Sequence, residues 1–328
     1  MSIGKMELSR FETWPIVAVK SGRRLYGRAI SLFINNGSCH LTSVDVFADG
    51  SINCWGFVDR QLFQQKLRSR WVVPAPHGTQ AISVFDFGMA VVAEGSWSQS
   101  PQSIGAEVEG IVRELNPDMT GLVDLQGPAT VEARGKLRSY KVSIADRRAY
   151  RQVEATHEDI PAEHVPILRR QAGYFELTRL FIYADGLLQV GAAGALFPLD
   201  ELSSLYERGK IANHAPAGSA ILLPGLGEFR TESEFGGICV HDRMGEVHDK
   251  LAILHGQPGA VAICRKCFVA YERNPSATAK QALRVAYEAV PRHLRRYCGG
   301  MDLRDAPIRA VLYGAANEIG VANESGYQ

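Results

Sequence analysis

The residues best equipped for chemistry lie towards the C-terminal end: Cys264 and Cys267 in AICRKCFVAY, then His293 and Cys298. Written as C-x2-C-x25-H-x4-C, they form a ligand set of the tetrahedral Cys3His zinc type, because two thiolates in a knuckle turn share one metal. The competing reading is a continuous strand through AVAICRKCFVAYE, whose alternation sends Cys264 and Cys267 to opposite faces. On that reading the thiols behave as small core hydrophobes. Zinc is therefore the alternative, and no cofactor is the expectation. Around His293, Arg292, Arg295 and Arg296 make a basic knot able to bind an anionic surface. The nearby Asp302 and Asp305 favour ion pairing or a protein contact over a nucleic-acid backbone.

Other polar clusters have structural readings. His241, Asp242, Glu246, His248 and Asp249 form the densest titratable group. They flank a helix whose apolar face is Met244, Val247, Leu251 and Leu254, which predicts a solvated surface for the polar residues. Asp49 and Asp185 each precede a glycine in a hairpin turn, where Asp caps its own backbone. Trp55 and Trp71 read as core aromatics, with an exposed partner-binding anchor as the alternative. No Walker loop, dinucleotide fingerprint, nucleophile elbow or zinc-protease motif occurs in the sequence.

What positions these residues is a repeat. GSCHLTSVDVFADG (37–50) and GYFELTRLFIYADG (173–186) share six of fourteen residues. The correspondence continues through an amphipathic helix, short strands and a closing helix, 104–115 in one copy and 244–254 in the other. Alternating strands, tight Ala-Asp-Gly hairpins and single helices predict antiparallel α+β architecture. The expected layout is two tandem, internally duplicated domains, 12–118 and 119–256, with a helical C-terminal element at 257–328. Within that element the pattern predicts a strand near 260–272, a helix from Asn274 to Tyr297 opened by a Thr278/Gln281 capping box and interrupted by Pro291, and a strand at 308–314.

Composition narrows the class. The chain has 328 residues, 36 basic against 35 acidic, and 46% hydrophobic content. That balance suits a globular protein and supplies no global basic field for nucleic acid or anionic membranes. Six cysteines and an N-terminal stretch without an apolar run lead to the expectation of a reduced, cytoplasmic setting.

The blocks INNGSCHLTSVDVFADGSINCWGFVDRQLFQQKLRSRWV and YEAVPRHLRRYCGGMDLRDAPIRAVLYG resemble bacterial proteins of unknown function. That resemblance implies no activity and no site residue. The sequence reading is a non-enzymatic interaction module, accessory, immunity-like or defence-associated, whose partner is a protein or a second copy. The alternative is a metal-dependent enzyme or nucleic-acid binder using the C-terminal Cys/His group and basic cluster.

Overall fold

The computed structural model describes residues 11–78, 80–124, 132–133, 136–137, 144–300 and 303–314. They fall into two compact units, Met1–Gly237 and Ile238–Gln328.

The first unit opens with β1 (Thr13–Lys20), β2 (Arg23–Asn36), β3 (Ser38–Phe47), β4 (Ile52–Asn53) and β5 (Phe57–Val58). Helix α1 (Arg60–Arg68), then β6 (Val72–Val73), β7 (Ile82–Val84), β8 (Gly88–Ala90), β9 (Val92–Trp97) and α2 (Pro101–Leu115) complete the first copy. A two-stranded ribbon follows, β10 (Glu132–Ala133) with β11 (Lys136–Leu137). The second copy contains β12 (Ile144–Val153), β13 (Glu158–Gln171), β14 (Tyr174–Tyr183), β15 (Leu187–Val190) and β16 (Leu196–Pro198). It continues with α3 (Glu201–Glu207), β17 (Ile211–Ala212), β18 (His214–Ala215), β19 (Ala220–Leu223), β20 (Gly227–Thr231) and β21 (Phe235–Gly236).

The duplication is written in the strand pairings. Each copy joins its two long strands antiparallel, β2 to β3 and β13 to β14. In each, the first long strand also takes a short strand after the helix, β6 or β17. In each, the second long strand takes a parallel neighbour, β7 or β19, with Cys39 opposite Ile82 and Phe175 opposite Ile221. The two copies nonetheless share one 17-stranded curled sheet rather than two. One seam is β1 with β12, the other β9 with β20. Because β7 pairs with β8, and only Val91 separates β8 from β9, the pairings run in a closed circuit through both copies.

The repeated turns are built as their sequence predicts. Gly50 and Gly186 adopt φ of 74° and 82°, a region open to glycine and strained for residues with a Cβ. Asp49 Oδ1 accepts the Ser51 amide at 3.0 Å, and Asp185 Oδ1 accepts the Leu187 amide at 3.3 Å. Each carboxylate also pairs with a base from its copy's leading strand, Lys20 for Asp49 and Arg151 for Asp185. Asp49→Ala is expected to cost about 1–2 kcal/mol and the more exposed Asp185→Ala about 0.5–1 kcal/mol. Gly50→Val should cost more than Gly186→Val. A Cβ at Gly50 lies 3.1 Å from Arg60, whereas the space beside Gly186 is open. Denaturant midpoints of the four variants check the ranking.

The long strands bury both faces, and one face of β2, β3 and β14 carries a layered pattern. On β2 and β3, Ala29 and Phe47 belong to one apolar cluster, with Trp14, Phe181 and Tyr183. Further along the same face, Phe33 and Leu41 belong to another, with Leu168, Leu177 and Phe229. Between these pairs the register places Ser31 opposite Ser43, with Asp45 one step nearer the first cluster. On β14 the residue at that level, between Leu177 and Phe181, is Arg179. A polar belt therefore separates two apolar clusters.

The second unit is entirely helical among its described residues, apart from one isolated bridge between Gly300 and Arg304: α4 (Val240–Leu254), α5 (Ala260–Arg273), α6 (Ala277–Glu288), a 3-10 helix (Arg292–Tyr297) and α7 (Ala306–Tyr313). Three expectations are corrected here. Residues 260–273 form a helix, not a strand, since Asp249 accepts the Ala260 amide at 2.5 Å and supplies the cap that Gly259 lacks. Residues 306–313 are likewise helical, with proline in the first turn, where its missing N–H costs no hydrogen bond. The cap of α6 is Ser276, whose hydroxyl accepts the Ala279 amide at 3.1 Å, in place of the expected Thr278/Gln281 box. Helix α4 has the same 15-residue length as α2, its counterpart by sequence.

Candidate functional site

The helix through residues 260–273 changes the geometry of the Cys/His group. Three residues apart on a helix, Cys264 and Cys267 lie on neighbouring positions of one face, so strand alternation does not separate them. Cys264 and Cys298 are buried together in the helical core, with Leu283, Tyr287 and Ile308. A hydrogen bond from Cys298 draws the Cys264 thiol down against the opposing effect of burial. His293 turns elsewhere: its Nε2 lies 2.9 Å from Glu246 Oε2. Among the described residues no three His, Cys, Asp or Glu side chains converge as a metal cage would require.

The basic knot is divided. Arg295 donates to the Val290 and Glu288 carbonyls at 3.0 and 3.1 Å and lies 4.9 Å over the Tyr287 ring, so it closes the C-terminus of α6. Arg292 and Arg296 are exposed, and the Arg292 amide donates to Asp242 at 3.0 Å.

Around α4 the expectation of a solvated polar face holds for His241 and His248, both exposed, and fails for Glu246. Arg243 and Glu246 are fully buried and ion-paired, with His293 completing the cluster. Burial alone would raise the Glu246 carboxyl, but the His293 hydrogen bond and the Arg243 charge more than offset it and hold it below its ordinary range.

Trp55 departs most from its expectation as a core residue. It is 48% exposed and stands at φ 64°, in the turn between β4 and β5. Its ring meets His40 at 4.9 Å and Trp71 edge-on at 6.2 Å, and its indole N–H donates to Thr42 Oγ1 at 3.4 Å. Trp71 packs against the core as expected. The register makes Asn53 equivalent to Gln189, because they pair with Asp45 and Phe181 in turn. Trp55 therefore corresponds to Gly191, which has φ 73°. One copy places glycine at this left-handed position. The other places a half-exposed tryptophan.

The inner polar belt was not singled out from sequence. Asp45 is 2% exposed and accepts from Arg147 at 2.5 Å, Asn53 at 3.1 Å and Ser43 at 3.3 Å. Burial pushes its carboxyl up, and these partners offset only part of that. Arg179 lies with its guanidinium 4.4 Å over the Trp14 ring, and burial pushes it down to about 10. A signal did exist: within the repeat, Ser43 aligns with Arg179 and Asp45 with Phe181, polar mismatches in an otherwise matching strand.

A closed, duplicated α+β sheet unit followed by a helical unit is thus the class of protein that the fold defines. The chain belongs to the family described as a domain of unknown function, DUF7638, whose model matches it twice, at residues 15–119 and 148–258. A second domain of unknown function, DUF7639, matches residues 259–326. No curated protein and no solved structure matches the chain.

Proposed function

We propose that the protein is a non-enzymatic interaction module that binds a protein partner or a second copy of itself through the Trp55 surface of its first repeat. In a bacterial cytoplasm such a module would act as an accessory, immunity-like or defence-associated protein. The observation that carries this reading is the contrast between Trp55 and Gly191. A left-handed backbone costs a non-glycine residue about 1–2 kcal/mol, so glycine is the choice that architecture alone favours. Strain of this kind concentrates where a side chain is held for use, and tryptophan is the residue most enriched at binding hot spots. Its flank supports the same reading: Lys66 lies 4.6 Å over Trp71, and Phe85, 68% exposed, follows β7 beside β3. The near-neutral charge of the chain favours a protein over nucleic acid.

Trp55→Gly is the test. Relief of backbone strain and loss of ring contacts worth about 0.5–1.5 kcal/mol nearly cancel, so Tm should move by no more than about 3 °C. Binding should fall by tenfold or more, roughly the 1.4 kcal/mol that a hot-spot residue exceeds. Quantitative affinity purification from the source cells, with sedimentation to detect self-association, reads this out. Identical partners and identical mass for wild type and variant would overturn the proposal.

A further inference from the structure

The second copy holds a carboxylate at the turn where the first copy exposes Trp55. Glu12, just before β1, reaches the turn of Gly191. Its Oε1 accepts from the Thr178 hydroxyl at 2.7 Å and from the Ala192 amide at 3.0 Å. A Cβ on Gly191 would stand 3.3 Å from that same oxygen, so the carboxylate lies directly beside the left-handed residue. Arg169 is at the edge of this site, its Nη1 3.9 Å from the same point. The preceding residue, Phe11, is buried, with its Cα 2.4 Å from where a Cβ on Gly225 would stand. Phe11 and Glu12 together cover two turns of the second copy.

Both turns recur in the first copy, and each presents an exposed aromatic residue there. The strand registers match Thr42 with Thr178, Trp55 with Gly191 and Gly56 with Ala192. They also match Asp86 with Gly225, at φ 54° and 75°, and Asp86 follows the exposed Phe85. The donors that hold Glu12 in one copy are therefore present in the other, and they are unused. Thr42 Oγ1 accepts the Trp55 indole N–H at 3.4 Å, which leaves its own proton without an acceptor among the described residues. The exposed Gly56 amide donates to none of them either, and the space beside its Cα is open. A cation is at hand as well. Lys66 forms no ion pair among the described residues, lies over Trp71, and its charge acts on Cys54, the neighbour of Trp55.

We infer that the Thr42 hydroxyl, the Gly56 amide and Trp55 take up the side-chain carboxylate of a glutamate from a partner protein, with the apolar residue before that glutamate resting against Phe85. The inference rests on the Trp55 surface being the interface and names what that surface recognises. A hydroxyl and an amide aimed at one point, beside an unmatched cation, select an anionic oxygen, and charge-assisted hydrogen bonds of this kind are the strong ones. Trp55 then forms the wall that makes the site specific to the first copy. A second copy of the chain is the poorer source, because its Glu12 is already engaged by its own Thr178 and Ala192.

The experiment is a tryptophan-fluorescence titration of the full chain with two blocked peptides, acetyl-Gly-Phe-Glu-Gly-amide and acetyl-Gly-Phe-Gln-Gly-amide. Blocking leaves the glutamate as the sole carboxylate. A saturable change is expected with the glutamate peptide, and binding of the glutamine peptide should be weaker by about fivefold or more. Thr42→Val should weaken the glutamate peptide to a similar degree, and Thr42→Ser, which keeps the hydroxyl, should bind it as wild type does. Lys66→Gln, which leaves β3 untouched, should weaken it by a few-fold should Thr42→Val fail to fold. No saturable change, equal binding of the two peptides, or full binding by Thr42→Val would each overturn the inference. Should Trp55→Gly still lose its cellular partner in any of those cases, the Trp55 surface stands and only the glutamate site falls. A dimer that dissociates in Glu12→Gln would overturn the assignment to a separate protein.

Discussion

Replacing Glu246 with alanine should destabilise the helical unit by about 3–5 kcal/mol, the range found when one partner of a buried ion pair is removed. Glu246 is 1% exposed and Arg243 is wholly buried, so water cannot take over the lost partner without opening the helices. For a unit of this size each kcal/mol moves Tm by about 4–8 °C, which makes the expected fall roughly 12 °C or more. Glu246→Gln should lie between wild type and alanine, because it keeps an acceptor for His293 while removing the charge that faces Arg243. The pH dependence has a definite sign. The folded carboxyl sits below its ordinary value of 4.5, so its contribution is present above that pH and is lost as the pH falls through the folded value. Asp242, also held low, adds to the same acid-side loss. Both glutamate variants should therefore show a flatter stability profile on the acid side than wild type. All four tryptophans lie at positions 14, 55, 71 and 97, so fluorescence reports the sheet unit alone. Far-ultraviolet circular dichroism should register the early helical loss. An unchanged Tm for Glu246→Ala would refute the view of this cluster as a structural centre.

The second large effect is expected at Gly227, on the seam where β20 meets β9. Its φ is 145°, and a Cβ there would lie 2.2 Å from the Ser96 carbonyl oxygen and 2.9 Å from the Trp97 Cα. Backbone atoms on a paired strand cannot swing aside as a flexible side chain can. Gly227→Ala should therefore break the local pairing of Gly227 with Trp97 and cost about 3 kcal/mol or more. Neighbouring bonds would suffer with it, since the Ser98 amide donates to Leu226 at 3.0 Å and the Gln99 side chain donates to Gly225 at 2.5 Å. Because this seam joins the two copies, tryptophan fluorescence should detect the loss, with Trp97 the nearest reporter. A variant as stable as wild type would mean that the copies do not depend on β9–β20 pairing.

Much of the architecture is legible in the residues. Alternation fixed the long strands, and Ala-Asp-Gly placed the hairpins, because period-two burial and a left-handed glycine are local requirements. The matching apolar spacing at 104–115 and 244–254 marked paired helices of equal length. Apolar composition misled at 260–273. A short run of Ala, Val, Ile, Cys and Phe suits a strand or a half-buried helix equally, and here the deciding cap comes from Asp249, eleven residues away.

What tertiary structure alone decided is how the copies combine and which polar residues are buried. Sequence repeats imply two equivalent modules, but exposed strand edges are unfavourable, and pairing β1 with β12 and β9 with β20 covers both edges at once. That closure creates an interior, and an interior turns an ordinary strand residue such as Asp45 into a buried charge. Trp55 shows the converse. Its type is local information, but its exposure and left-handed backbone depend on a turn whose conformation is fixed by the strands on either side. Glu246 was masked for the same reason: helical periodicity assigns a face, and only the docking of the His293 segment decides that this face is covered.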